Sequence, residues 1–270
     1  MSNLYLDELE NESIRVIREA YWRYKNKLAV LWSMGKDSTT MLHLVRKSFF
    51  GEVPFPVIHI DTSFKFKEIY EFRDKYAKKW KLNLVIARNE AALQRSVCPS
   101  KGLFECCNTL KTEALKQAID QNKLEALLLA IRRDEHSIRA KERYLSPRDA
   151  NFSWNYQQQP LEMRGEINFP AVTAGIHFRV HPMLAWREID IWRYTKRERL
   201  PVINLYFAKS GKRFRSIGCA TCCEPVVSRA NDINKVINEL ESTKIAERSG
   251  RCQDKEKEYM MQKLRSLGYM

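Results

Sequence analysis

Apolar and polar positions follow one another along this chain in the manner of buried strands separated by amphipathic helices. Short apolar runs predict five strands, over residues 28–32, 57–60, 82–87, 126–131 and 178–181. Such runs are typical of strands covered on both faces of a sheet. Apolar residues at helical spacing predict helices near residues 7–26, 39–47, 69–80, 111–121 and 186–196. This alternation predicts an α/β fold with a doubly wound, mostly parallel sheet.

The stretches between these elements are predicted to be less regular. Residues 98–108 are predicted to form a loop, and residues 146–176 carry three prolines and no regular pattern. A loop of that length in a compact domain is usually functional or mobile. Polar helical segments are expected to close the chain. We expect a main α/β domain over residues 1–205 and a helical, cysteine-containing appendage over residues 206–270 that packs on the active site.

Three features predict a cytoplasmic protein without a membrane role. No apolar run approaches the roughly 20 residues of a membrane span. The first residues, MSNLYLDELENES, are acidic and polar, unlike a signal peptide. Seven cysteines, several of them adjacent, do not form the pattern of a secreted disulfide framework in a chain of 270 residues.

The polar turn after the first strand is the strongest chemical signal. Ser33–Ser38 joins a buried strand to the beginning of a helix, where free backbone N–H groups and the helix dipole favour an anion. Gly35 allows close backbone approach or a positive φ, and Lys36, Ser33 and Ser38 add donors. Asp37 suits a helix cap or a Mg²⁺ ligand. An ordinary capped strand–helix turn is the alternative interpretation.

Further polar groups follow two other predicted strands. Asp61 and Thr62 end the second strand, at the sheet edge where α/β folds bind ligands. Basic residues follow the fourth strand, and so many cations in one place favour a bound anion; they include Arg132, Arg133, Arg139 and Arg143. The alternative is a surface helix neutralised by Asp134, Glu135 and Glu142.

The net charge of +14 indicates either a solvated basic surface or a polyanionic partner. ATP alone requires few cations, so DNA is a candidate partner. If DNA binds, Lys209, Lys212, Arg213 and Arg215 are predicted to form the walls of a positive groove.

Two cysteine clusters suggest a second kind of chemistry. Cys106–Cys107 and the group Cys219, Cys222 and Cys223 are about 110 residues apart in sequence, and we expect them to meet in space. Their thiols suit a [4Fe–4S] cluster, Zn²⁺, or a relay that carries a persulfide or forms a disulfide; buried small side chains are the plain alternative. Cys98 and Cys252 stand apart and are interpreted as incidental, and His59 and His181 as structural.

The S-x-G-K-D-S turn resembles the pyrophosphate loop (PP-loop) of enzymes that cleave ATP between the α- and β-phosphates. Several blocks in the same order resemble the phosphoadenosine-phosphosulfate (PAPS) reductase superfamily, most closely the sulfate adenylyltransferase small subunit; they span residues 33–50, 54–77, 110–119, 132–149, 181–194 and 243–251. The resemblance implies an adenine nucleotide alpha hydrolase-like fold, with ATP and Mg²⁺ as cofactors. It also implies that Ser33, Gly35, Lys36, Asp37 and Ser38 hold the phosphates, that Asp61 and Thr62 lie near the nucleotide, and that Lys111, Arg132, Arg133, Arg139 and Arg143 face the polyphosphate.

The cysteines depart from the small-subunit pattern. Their spacing resembles the [4Fe–4S] pattern of adenylylsulfate reductases, but the chain ends in Leu-Gly-Tyr-Met without the nucleophilic cysteine of those enzymes, which disfavours reduction. The added cysteines are similar to those of the ATP pyrophosphatase in DNA phosphorothioation of the Ssp or Dnd type. That resemblance implies adenylation of a DNA phosphate, with a cysteine desulfurase and other DNA-modification subunits as partners.

Two other functions stay open at this point. One is plain sulfate adenylyltransferase, which uses a GTPase partner subunit. The other is a non-catalytic iron–sulfur scaffold that binds nucleotide and nucleic acid. A homodimer is also compatible with the sequence.

Overall fold

A six-stranded sheet forms the centre of the protein, as a computed structural model describes it over residues 3–154, 159, 162, 177–250, 263–264 and 266–268. Its strands, in chain order, are β1 Leu28–Leu31, β2 Val57–Ile60, β3 Leu84–Ala87, β4 Ala126–Leu128, β5 Leu145–Arg148 and β6 His177–Val180. They lie side by side in the order β3-β2-β1-β4-β6-β5. All neighbours are parallel except β5, which is antiparallel to β6 at one edge.

Helices cover both faces of this sheet. They are α1 Asn3–Tyr24, α2 Lys36–Ser48, α3 Lys67–Lys79, α4 Glu90–Gln94, α5 Leu103–Cys107, α6 Ala114–Gln121, α7 Glu188–Arg197 and α8 Ile233–Ser242. Because side chains alternate along a strand, Leu28 and Val30 of β1 pack with α1, α2 and α7, whereas Ala29 and Leu31 pack with α6 on the other face. The predicted doubly wound, mostly parallel α/β fold is confirmed.

The strand order leaves a crevice between β1 and β4. From β1 the chain moves outward through β2 to β3, and then returns to place β4 on the other side of β1. The connections after β1 and β4 therefore diverge at the carboxyl edge of the sheet. Open α/β sheets bind ligands at such a switch point.

Three local predictions were wrong. Strand β5 begins the region predicted to be irregular, and its Pro147 is tolerated because β5 is an edge strand. The predicted loop at 98–108 contains α5, which continues into a π-helical turn, Asn108–Glu113. Helix α4 was not predicted at all. Much of the rest of 146–176, Cys252 and most of the final residues lie outside the described residues.

The C-terminal segment is joined closely to the sheet. It contains a two-stranded hairpin of β7 Lys212–Arg213 and β8 Val226–Val227, then α8 and a short turn, Glu247–Gly250. Val236 and Ile237 of α8 share the core that contains β1. The Ala220 N–H donates to the Phe64 carbonyl, 2.7 Å away. The boundary at residue 205 stays a prediction. Among the described helices, none has the length and apolar character needed to cross a membrane.

Candidate active site

The turn after β1 is held in shape by its own side chains. The Ser33 N–H donates to Ser38 Oγ at 3.1 Å, and Ser38 Oγ donates to the Gly35 carbonyl at 3.1 Å. Met34, rather than Gly35, has the left-handed backbone, with φ of +61°. Gly35 is required for close approach, since a Cβ there would lie 3.3 Å from the Tyr206 hydroxyl and 3.4 Å from Ser33 Oγ. Helix α2 then begins at Lys36.

A cleft opens above this turn at the switch point between β1 and β4. The turn supplies one wall, and the strand ends and C-terminal segment supply the others; the lining includes Ser33, Gly35, Asp37, Ser38, Lys65, Lys111, Ala130, Glu135, Arg139, Tyr206, Gly218 and Arg248. A largely apolar recess adjoins it. Leu31, Trp32, Ile58 and Ile60 supply its apolar lining, and Ser33, Lys65 and Lys111 lie at its polar part. The cleft thus combines cations, the amino end of a helix and an apolar recess.

An ion-pair network forms the floor of the cleft. Lys36 is 1% exposed, and its Nζ lies 3.0 Å from Asp37 Oδ2. Arg132 is fully buried and contacts Asp37 and Glu247, and Glu247 also contacts Lys36. Burial alone would raise the pKa of Glu247, but Arg132 and Lys36 lower it to about 2. These four groups, called the ionic floor below, neutralise one another at the base of the cleft.

Three carboxylates, two of them members of the ionic floor, form a candidate cation site. One oxygen each from Asp37, Glu135 and Glu247 lie within 4.8 Å of one another. Glu135 also contacts Arg139, and its Oε1 lies 4.0 Å from Arg248 Nη1. Carboxylate oxygens are the ligands that Mg²⁺ prefers. These residues therefore fit the Mg²⁺ that the sequence predicts.

The predicted nucleotide residues fall into three groups. Ser33, Gly35, Asp37, Ser38, Lys111 and Arg139 line the cleft. Lys36 and Arg132 lie beneath it in the ionic floor. Arg133 and Arg143 are not among the lining residues; Arg133 packs over the Tyr144 ring and lies 3.9 Å from Glu162.

Asp61 and Thr62 directly follow β2 and are not among the residues that line the cleft. Asp61 contacts Arg88 and accepts hydrogen bonds from the Ser63 N–H and the Tyr70 hydroxyl. Burial would raise its pKa, but these donors lower it. The Thr62 hydroxyl lies 3.2 Å from Cys219 Sγ. Both residues therefore order the edge of the cleft next to the cysteines.

The two cysteine groups meet around Lys111, as the sequence predicts. Lys111 lines the cleft and its Nζ donates to Cys107 Sγ at 3.6 Å. Burial raises the pKa of Cys106 to about 12, and the nearby charge of Cys219 adds to that rise. We call Cys106, Cys107, Cys219, Cys222 and Cys223, with Lys111, the thiol cluster.

Cys219 is the acidic member of the thiol cluster. A hydrogen bond from the Cys222 thiol lowers the pKa of Cys219 to about 3, although burial opposes this, and Lys111 and Lys65 contribute. The same bond raises the pKa of Cys222. A thiolate stabilised by a neighbouring thiol and by cations is typical of reactive cysteine sites.

The thiols do not have the close grouping of a zinc site. In the described part of the chain, the set of three ligand atoms within 4.8 Å of one another consists of carboxylates, and the sulfurs form no such set. Cys107 accepts from Lys111, and Cys223 Sγ accepts from the Gly218 N–H at 3.1 Å. The [4Fe–4S] cluster stays a prediction from cysteine spacing alone.

The predicted DNA groove was wrong for its two arginines. Arg213 is 1% exposed and contacts Glu239 at 2.6 Å. Arg215 is 8% exposed and makes hydrogen bonds to both Glu188 oxygens and the Ile245 carbonyl. Both cations hold the C-terminal segment together, because each is buried against a carboxylate. His59 and His181 have the structural roles predicted, since each Nδ1 lies within 3.2 Å of a backbone carbonyl.

Comparison with known proteins places this site in a family. The model of the phosphoadenosine phosphosulfate reductase domain matches residues 27–225. The chain belongs to this PAPS reductase family. Two relatives named sulfate adenylyltransferase subunit 2 are similar over nearly their whole length. The one from Allorhizobium ampelinum is 37% identical over 98% of this chain and 93% of its own. The one from Bacteroides fragilis is 36% identical over 98% and 97%.

Solved structures of low sequence identity share the family fold. A PAPS reductase from Candida auris superposes with a TM-score of 0.55 at 18% identity, covering 84% of this chain and 98% of that one. An FMN adenylyltransferase from Candida glabrata gives 0.55 at 17%, covering 83% and 68%. These likenesses concern the fold alone. The predicted resemblance to the PAPS reductase superfamily is confirmed, and the resemblance to DNA phosphorothioation proteins stays a prediction.

Sequence reasoning missed several residues of the candidate site. Glu247 and Arg248 lie in a block that carried the resemblance, residues 243–251, so a signal for them was present. Tyr206, whose hydroxyl accepts the Lys36 N–H at 2.9 Å, gave no such signal. Lys65 reaches the cleft because its strand bridge to Cys219 holds the two segments together.

Proposed function

We propose that this protein is an adenylyltransferase that joins the AMP part of ATP to sulfate and releases pyrophosphate. The observation that carries the proposal is the PP-loop turn opening into a cationic cleft at the β1–β4 switch point. Full-length similarity to proteins named sulfate adenylyltransferase subunit 2 supports the choice of acceptor.

Different residues of the cleft are assigned to the adenine ring, to the phosphates and to the acceptor. The apolar recess of Leu31, Ile58 and Ile60 takes the adenine ring. Backbone N–H groups at the beginning of α2, with the Ser33 hydroxyl, take the β- and γ-phosphates. Lys111, Arg139 and Arg248 line the same cleft, and we assign them to the charge of the remaining phosphate and of the acceptor.

The reaction is a displacement at the α-phosphorus. A sulfate oxygen forms a bond to that phosphorus, the bond to the α–β bridging oxygen breaks, and pyrophosphate leaves with the electron pair. Fixed cations stabilise the charge that develops on the leaving group, because they need no reorganisation during the step. Asp37, Glu135 and Glu247 would hold Mg²⁺, which supplies charge neutralisation on the phosphate oxygens.

The ionic floor keeps Asp37 in place for this role. Lys36 and Arg132 both contact the Asp37 carboxylate, and neither reaches the cleft surface. We assign these two cations to positioning Asp37 rather than to direct phosphate contact.

Two features favour free sulfate over a DNA phosphate as the acceptor. Free sulfate needs a small pocket with a few donors, which the cleft offers. Arg213 and Arg215, predicted to guide DNA to the thiols, are instead buried in ion pairs. The name of the relatives also indicates a partner subunit, so we propose that a second chain, a GTPase by the family resemblance, completes the enzyme.

The test is a product analysis of ATP incubated with sulfate and Mg²⁺, with and without that second chain. We expect AMP-containing products and pyrophosphate, with turnover rising as sulfate is added. Release of ADP and phosphate would contradict the proposal, because it places cleavage at the wrong phosphate.

A second candidate function is favoured by one observation, the thiol cluster around a lysine of the same cleft. Here the adenylated oxyanion is a DNA phosphate, and sulfur supplied by a cysteine desulfurase replaces its oxygen. DNA-dependent AMP release without a sulfate effect would favour this candidate. Anaerobic purification tests the iron–sulfur prediction for the same thiols, since a cluster would colour the protein brown.

A further inference from the structure

A second cavity lies apart from the nucleotide cleft and shares no lining residue with it. It is formed by the segment from the end of α4 through α5, and Cys106 of the thiol cluster is one of its lining residues. Its walls carry two cations, one carboxylate and two thiols: Arg95, Lys101, Glu105, Cys98 and Cys106. Val97, Gly102 and Thr109 complete the lining. Two free thiols therefore open into one space that carries a positive charge excess.

The two thiols of this cavity differ in character. Cys98 is partly exposed, and its Sγ lies 3.1 Å from the Ser100 hydroxyl. That hydroxyl, followed by backbone donors and Lys101, lowers the pKa of Cys98. Cys106 is 5% exposed. Two thiols that open into one cavity, one accessible and one buried, match the arrangement of an attacking and a resolving cysteine.

We propose that this cavity is a thiol-exchange site for an anionic low-molecular-weight disulfide, with Cys98 as nucleophile and Cys106 as resolving thiol. Arg95 and Lys101 attract the carboxylates of the ligand. Cys98 was interpreted from its sequence position as incidental, and the proposal gives it a role because it lines the cavity.

The chemistry balances in two steps. The Cys98 thiolate attacks one sulfur of the disulfide, a new sulfur–sulfur bond forms, and one thiolate of the ligand leaves. Cys106 then loses its proton and attacks the Cys98 sulfur, which expels the second thiolate. The protein dithiol is oxidised by two electrons and the disulfide is reduced to two thiols, so no further reactant is needed.

Thiol exchange at this cavity affects the nucleotide cleft, because a chain of adjacent residues connects the two. Cys106 precedes Cys107 in α5, and the Cys107 sulfur accepts from Lys111, which lines the cleft. A bond at Cys106 shifts this end of α5 and the lysine that contacts it. This consequence rests on the proposed nucleotide function, whereas the exchange itself does not.

The experiment compares three disulfides of different charge on the full chain: glutathione disulfide, hydroxyethyl disulfide and cystamine. Mass spectrometry follows the mixed disulfide and the internal disulfide at each cysteine. We expect the anionic disulfide to react about tenfold faster than the neutral one, and the cationic one slowest. The difference should shrink with salt. Equal rates for all three would overturn the proposal.

Variants assign the two roles. Cys98→Ser should abolish labelling of the cavity, and Cys106→Ser or Cys106→Ala should stop the reaction at the mixed disulfide on Cys98. Arg95→Gln with Lys101→Gln should remove the charge preference. Lys81→Gln, an exposed lysine at the end of α3, is the control and should keep it. Unchanged labelling of the Cys98→Ser protein would overturn the assignment.

Nucleotide binding supplies a separate readout. ATP affinity should fall about tenfold in the oxidised protein, in line with weakening of one charged hydrogen bond, and recover on reduction. An unchanged affinity overturns the coupling. A protein that exchanges at Cys98 but binds ATP in neither state would contradict the proposed function while supporting the exchange site.

Discussion

The ionic floor and the thiol cluster lie side by side under one cleft, and they handle buried charge in different ways. In the floor, Lys36 and Arg132 are matched by the carboxylates of Asp37 and Glu247. In the thiol cluster, Lys111 is placed against sulfur groups whose charge depends on protonation and oxidation. The ionic floor therefore holds its side chains in fixed positions, whereas the charge of the thiol cluster changes with pH and with oxidation.

The largest expected effect comes from removing the shared carboxylate of the floor. Glu247→Ala leaves Lys36 and Arg132 buried with one counter-ion fewer, which costs about 3–5 kcal/mol of unfolding free energy. Urea denaturation measures it. Glu241→Ala, which removes a half-exposed partner of Arg193, is the control and should cost less than about 1 kcal/mol. Equal losses in the two variants would show that the floor contributes no special stability.

The pH dependence of stability separates the two regions. The pKa of Glu247 is lowered from 4.5 to about 2 in the folded protein, so its contribution is present above pH 4.5 and is lost as the pH falls towards 2. The same rule applies to Cys219. Because its pKa is lowered in the folded protein, its contribution to the free energy of unfolding grows as the pH rises from about 3 to 9.

Denaturation curves at a series of pH values check both parts. Glu247→Gln should remove the loss of unfolding free energy at acid pH, which amounts to about 3 kcal/mol. Cys219→Ser should remove the rise in unfolding free energy at higher pH. If both variants lose stability over the same pH interval, the distinction between the regions is wrong.

A smaller effect is expected from neutralising the carboxylate that the floor positions. Asp37→Asn keeps the shape of the side chain but weakens its hold on a cation, so ATP turnover should fall about 100-fold with little change in KM. Steady-state kinetics provide the measurement, and Asp120→Asn on the exposed surface of α6 is the control. Full activity of Asp37→Asn would remove it from the reaction.

The smallest effect is expected at the lysine between the regions. Lys111→Met removes one charged donor from the cleft, so KM for ATP should rise about tenfold. It also removes one of the groups that lower the pKa of Cys219, though the Cys222 hydrogen bond is the larger cause. The thiolate absorbance of the variant should therefore titrate at higher pH. An unchanged KM would place Lys111 outside the nucleotide site.

The sequence was sufficient for the parts of the fold that depend on local pattern. Strand β1, the turn and α2 were predicted because an apolar run, a polar turn and helical spacing follow one another directly. Strand β5 was missed since Pro147 is unusual in a strand, and only its edge position in the sheet makes it acceptable. Helix α5 was missed because its five residues are too few to show a period.

The polar turn was predicted from its own sequence, and the family resemblance added Lys111 and Arg139, which also line the cleft. Glu247 lies 211 positions from Lys36, so their contact is a product of the tertiary fold. Arg213 and Arg215 were misjudged because composition counts cations without showing which carboxylates neutralise them. The meeting of the cysteines was foreseen from their clustering, whereas the role proposed for Cys98 depends on the cavity that it lines.

The position of Glu247 has a consequence for the order in which the protein is made. During synthesis, the strands of the sheet leave the ribosome well before residue 247 does. Until then, Lys36 and Arg132 lack the counter-ion that they share, and only Asp37 and Asp134 pair with them. The nascent sheet therefore carries an unfinished active site, which the last part of the chain completes when it folds back. Slow or interrupted synthesis near the end should leave a species that has formed its sheet but cannot yet bind nucleotide.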